Sequence, residues 1–74
     1  MDRELEDTIR YDIALGSLWI LPDEITVDAS GGVVTLRGTV ADRLTASILA
    51  RMSRELDGVL AVVDRLSWRD EVAA

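Results

Sequence analysis

The chain has 74 residues, a net charge of −6, no cysteine, no histidine and no lysine, all eight basic residues being arginine. That length specifies one domain with a modest core and no disulfide to support it. The missing residue types exclude a thiolate nucleophile, a zinc–thiolate site, a histidine base and Schiff-base chemistry, and the acidity argues against nucleic acid, whose binding rests on phosphate neutralisation.

Asp2 to about Ser17 is predicted to be a helix. Leu5, Ile9 and Ile13 recur every four residues, and Asp2, Glu4, Glu6 and Asp7 suit the positive end of a helix dipole. Tyr11, Leu15 and Leu18 form a second apolar ridge beside that stripe, with Asp12 near its edge. Pro22 disfavours helix at Leu21 and is expected to stop the first element. Ile25 to Ala29 reads as a short strand with Ile25, Val27 and Ala29 on one face. Gly31 and Gly32 supply the positive φ angles of a tight hairpin, and Val33 to about Val40 is the second strand. Gly38 interrupts that strand, which marks a bulge or a close approach; a helix crossing over it is the expected neighbour. Asp42 is the expected N-cap of a second helix, whose stripe is Leu44, Ile48, Met52 and Leu56 with Leu49 beside it. Gly58 is expected to end that helix, Val59 to Trp68 is the third strand, and Arg69 to Ala74 is expected to fray.

The order αββαβ predicts an α+β, two-layer fold: a small three-stranded mixed sheet covered on one face by two helices, in a single domain over 1–74, ordered from about 3 to 68. The hairpin is antiparallel, and the second strand, second helix and third strand form a crossover with parallel strands. Asp64 shares its parity with Val62 and Leu66, so either it caps an edge or the strand is bulged there. The polar start MDRELEDTIR is no signal peptide and no apolar run reaches the length of a membrane span, so a cytoplasmic location is expected.

The pattern resembles the BON domain, a small αββαβ module of bacterial osmotic-stress and nodulation proteins. The resemblance rests on Ile9 and Ile13 in the first helix, Ile25-x-Val27, the run Gly32-Val-Val-Thr-Leu-x-Gly-x-Val40, and Gly58-Val59 followed by Val62, Asp64 and Leu66. It covers nearly the whole chain and departs in the first helix, where the family often has Ala-Leu and this chain has Gly16-Ser17. Such domains are usually non-catalytic and bind phospholipid surfaces or proteins. The arginine-rich spellings VTLRG and VVDRL resemble BON domains that follow a pair of CBS domains in cytoplasmic actinobacterial proteins.

Among candidate sites, the acidic run Asp2–Asp7 lacks the glycine-containing spacing of a calcium loop and reads as a solvated helix start. Asp23, Glu24 and Asp28 fall in a turn and on a strand's outer face, and Ser30 has no base to activate it. No catalytic residue, metal site or cofactor is expected. Arg43, Arg51 and Arg54 share a helix face and are either its solvated back or a contact for lipid phosphate or an acidic partner. Tyr11, Leu15, Leu18 and Trp19 are either core or an apolar partner-binding patch, with Asp7, Arg10 and Asp12 as a polar rim. Gly32, Gly38 and Gly58 are expected to be structural. The expected function is a non-enzymatic interaction module that docks to a protein, a neighbouring domain of its parent chain or another copy of itself. Binding at a phospholipid surface is the alternative, which the net charge disfavours, and a small ligand held in a groove by the sheet is a weaker third.

Overall fold

A computed structural model describes residues 2–69; the expected fraying concerns, beyond Arg69, residues outside that range. Helix α1 begins as α-helix over Asp2–Asp7, widens to π-helix over Thr8–Leu15 and closes with an α-helical turn over Gly16–Leu18. A 3₁₀ turn over Pro22–Glu24 leads into β1 (Ile25–Ser30), followed by β2 (Val33–Val40), α2 (Arg43–Arg54) and β3 (Ala61–Trp68). The sheet order is β1-β2-β3, with β1 antiparallel and β3 parallel to β2. This is the expected α+β fold with a three-stranded mixed sheet.

Ser30 pairs with Val33, so the hairpin loop is Gly31 and Gly32 alone. Their φ angles of 59° and 85° are both positive, as a type I′ turn requires. One sheet face carries the core. Ile25, Val27 and Ala29 of β1, Val34, Leu36 and Val40 of β2, and Leu66 of β3 are buried there, against Ile9, Ile13 and Ala14 of α1 and Ala46, Leu49 and Ala50 of α2. Among the described residues no helix lies on the opposite face.

Four features correct the sequence reading. First, α2 is rotated relative to the period-four stripe. Leu44 is 69% exposed and Ile48 only half-buried, while Ala46, Leu49, Ala50 and Ser53 turn inward. Three of those four side chains are small, which lets the helix backbone lie close to the sheet. The hydroxyl of Ser53 donates to the carbonyl of Leu49 at 2.7 Å, so its burial leaves no unpaired donor. Second, α2 ends at Arg54, and β3 begins at Ala61 rather than Val59. Third, α1 stops at Leu18, ahead of Pro22, because Trp19 turns left-handed with φ 58° and ψ 30°. Fourth, the neighbour of Gly38 is not a helix. A Cβ there would strike the carbonyl oxygen of Glu24 and lie 2.8 Å from Cα of Ile25, at a φ of 129°. The missing side chain makes room for the start of the adjacent strand.

Both edges of the sheet are blunted by a carboxylate. Glu6 of α1 reaches the backbone N–H of Ala29 at 2.9 Å, and Asp64 accepts from the N–H of Leu66 at 3.0 Å. Ala61 and Arg69 send their N–H groups to the carbonyls of Gly32, just ahead of β2, and Val40, at its end, so the even-numbered N–H groups of β3 face the open edge. Asp64 therefore caps an edge, the first of the two readings left open by its parity.

Candidate interaction surface

The apolar ridge expected on α1 is divided by the structure. π-Helical turns are wider than α-helical ones, so residues three and four apart no longer stack on one line through Thr8–Leu15. Tyr11 is 48% exposed, Leu15 is half-buried, and Leu18 packs against the core. Trp19 is 86% exposed.

The backbone explains how Trp19 is presented. At a helix end the residue in left-handed conformation is normally glycine, since a side chain there costs about 1–2 kcal/mol. The N–H of Ile20 bonds back to the carbonyl of Ala14 at 2.9 Å, and the Ile20 side chain is buried. Ile20 thus anchors the helix end, and Trp19 is thrust outward beside it. Neither burial nor backbone preference favours tryptophan at this position.

Trp19 does not stand alone. β2 and β3 are parallel, so their C-terminal ends lie together, and α2 starts just beyond β2. These ends meet the exit of α1 around a recess of about 120 Å³ lined by Leu18, Trp19, Ile20, Glu24, Thr39, Val40, Ala41, Thr45 and Arg69. Trp68 pairs with Val40 at this end and is 40% exposed. Leu21, beside Ile20, is 56% exposed, and Leu44, beside Thr45, is exposed to a greater degree. Both tryptophans of the chain therefore belong to one pole. Leu21, Leu44 and Trp68 escaped the sequence reading; the signal available was the parallel crossover, which brings those three segments to one end.

Arg43, Arg51 and Arg54 are all exposed. At 100° per residue they span an arc of about 80° on α2. Arg43 lies at the pole and the other two run away from it. Asp42 accepts from the backbone N–H of Thr45 and from its hydroxyl, both at 2.8 Å, which makes it the expected N-cap. Those bonds, the backbone one foremost, hold its carboxyl below the usual aspartate value.

The other acidic candidates are occupied locally. Glu6 holds β1, and Glu24 accepts from the N–H of Leu21 at 3.2 Å. Among the described residues no group of three or more acidic side chains is placed to hold a metal ion. Gly32 and Gly58 have positive φ, and a Cβ on Gly32 would lie 2.8 Å from the Leu60 side chain and 3.1 Å from the Gly58 carbonyl. An open groove of about 340 Å³ runs between α1 and the turn before β3, lined by Glu4, Leu5, Thr8, Asp57 and Gly58. Its two carboxylates and lack of a basic group suit no anionic ligand.

A two-layer αββαβ sheet-and-helix domain with its aromatic residues on the outside has the make-up of a small binding module. The chain belongs to the BON domain family, whose profile matches residues 2–70. BON domains are generally non-catalytic and are associated with binding, to phospholipid or to other partners. No match is found among curated proteins. No helix among the described residues is long and apolar enough to cross a membrane.

Proposed function

We propose that this BON domain is a non-enzymatic docking module for a protein surface, and that Trp19 is its anchor. The reading rests on one observation: a tryptophan held outward at 86% exposure by a left-handed backbone that tryptophan does not favour. Trp68, Leu21 and Leu44 at the same pole extend the anchor, and on α1 Leu15 and Tyr11 offer separate further contacts, with Leu18 packed into the core beneath. Buried aromatic anchors ringed by lesser contacts are the usual composition of an interface hot spot. The partner is a neighbouring domain of the parent chain, such as a CBS pair in a cytoplasmic protein, or another copy of the domain.

The test is Trp19→Gly, which relieves the backbone and removes the anchor. The variant keeps or raises the melting temperature and loses docking to the rest of its parent chain, or self-association, measured by sedimentation velocity. Docking that is unchanged by Trp19→Gly overturns the reading. A second reading, phospholipid binding, is favoured by the exposure of Arg43, Arg51 and Arg54 on one helix face. It predicts that vesicles containing anionic lipid sediment the domain and that changing the three arginines together to serine releases it. At physiological salt the net charge of −6 predicts no sedimentation.

A further inference from the structure

The helix-free face of the sheet differs in charge from the rest of the molecule. Residues that alternate with the buried ones in β2 and β3 point to it, and Arg37 and Arg65 are exposed there, paired in register on adjacent strands. Strands lie about 4.8 Å apart, and like charges directly opposite each other are destabilising. Asp28 is the single carboxylate among the outward residues of the three strands, so this face is basic in a chain of net charge −6. Val33 and Val63 are partly exposed beside the arginines, at 40% and 36%. A parallel pair such as β2 and β3 is normally covered on both faces.

The opposite layer supplies the complement. The outward side of α1 exposes Glu4, Asp7 and Asp12, with Tyr11 among them; of its two bases Arg3 is exposed and Arg10 half-buried, which leaves the side acidic. At no more than 1.5 Å per residue, the α-helical rise, α1 is at most about 25 Å long. An eight-residue strand, at 3.3 Å per residue, is about 26 Å long. We propose that the open sheet face receives the acidic side of α1 from a second copy of this chain, with Arg37 and Arg65 facing Glu4 and Asp7 and with Tyr11 on Val33 and Val63. The contact joins two different surfaces, so it is head-to-tail and repeats as a ring or a filament. It shares Tyr11 with the proposed docking surface but does not involve Trp19.

Charge reversal tests it. Glu4→Arg with Asp7→Arg disables the helix side, and Arg37→Glu with Arg65→Glu disables the sheet side. All four are exposed, and circular dichroism checks that both variants fold. By sedimentation velocity the parent associates with rising concentration, and the association weakens when salt is raised from about 50 to about 300 mM, as screened charge pairs do. Each variant alone is monomeric because its helix and sheet surfaces then carry charge of the same sign. A one-to-one mixture associates again, since the intact helix of one meets the intact sheet of the other and the two reversed surfaces are opposite in charge as well. A monomeric parent at low salt overturns the proposal. So does a mixture that stays monomeric, and so does association that survives both variants. Association abolished by Trp19→Gly and untouched by either reversal places the contact at the tryptophan pole, supporting the docking reading while rejecting this one.

Discussion

Gly38→Ala is the most direct test of how the sheet is assembled. Gly38 pairs with Ile25, the first residue of β1, and has a φ of 129°. A side chain meets two obstacles there. The backbone angle costs a non-glycine residue about 1–3 kcal/mol. The new Cβ strikes the Glu24 carbonyl and the Ile25 Cα, which are backbone atoms and cannot rotate away as a side chain would. Overfilling of that kind costs about 1–3 kcal/mol more. A chain of 74 residues has a total stability of about 4–11 kcal/mol. The substitution therefore removes a large share of it. Urea unfolding followed by circular dichroism measures the loss. With a slope of about 1 kcal/mol per molar urea, the midpoint falls by at least about 2 M. Gly31→Ala is the control, because it has positive φ but no atom within 4 Å of its Cβ. It isolates the backbone cost, about 1–2 kcal/mol. A Gly38→Ala midpoint equal to that of Gly31→Ala refutes the close approach of β1, and one equal to the parent refutes both obstacles.

Two further outcomes follow from the packing and capping of α2. Leu49→Ala costs about 2–5 kcal/mol and Leu44→Ala changes stability by less than about 0.5 kcal/mol, because the first is fully buried and the second mostly exposed. The reverse order in urea unfolding restores the period-four stripe as the packing face. Asp42→Ala lowers the melting temperature at neutral pH by removing the N-cap. The carboxyl of Asp42 is lowered in the folded state, so its contribution is complete above the unfolded aspartate value near 3.9 and is lost as pH falls through the lower folded value. The gap between parent and Asp42→Ala therefore narrows only in strong acid. Asp42→Asn, which caps without titrating, keeps its advantage over Asp42→Ala there. A parent–alanine gap that closes already between pH 7 and 5 contradicts the assignment.

The sequence by itself determined most of the architecture, because the controlling signals are local. Two successive glycines can make a two-residue hairpin, valine-rich runs favour extended chain, and Asp42 ahead of an amphipathic segment starts a helix. The crossover rule then makes β3 parallel to β2. These are nearest-neighbour or periodicity effects, and they survive without knowledge of packing. The family signature in the two strand motifs had the same origin.

Other features required the tertiary structure. The face of α2 that turns inward depended on how close the helix could lie, and Ala46, Ala50 and Ser53 settled that against the larger Leu44 and Ile48. Hydrophobicity alone had ranked them the other way. The role of Gly38 depended on where β1 begins across the ladder, which local sequence does not encode. The split of the α1 ridge came from π-helical turns, to which a 3.6-residue period is blind. The pole of Trp19, Leu21, Leu44 and Trp68 assembles residues from three separate segments, and only the parallel arrangement of β2 and β3 brings their ends together. Surface is a property of what has been left uncovered after packing, so the candidate sites appeared only once the core was known.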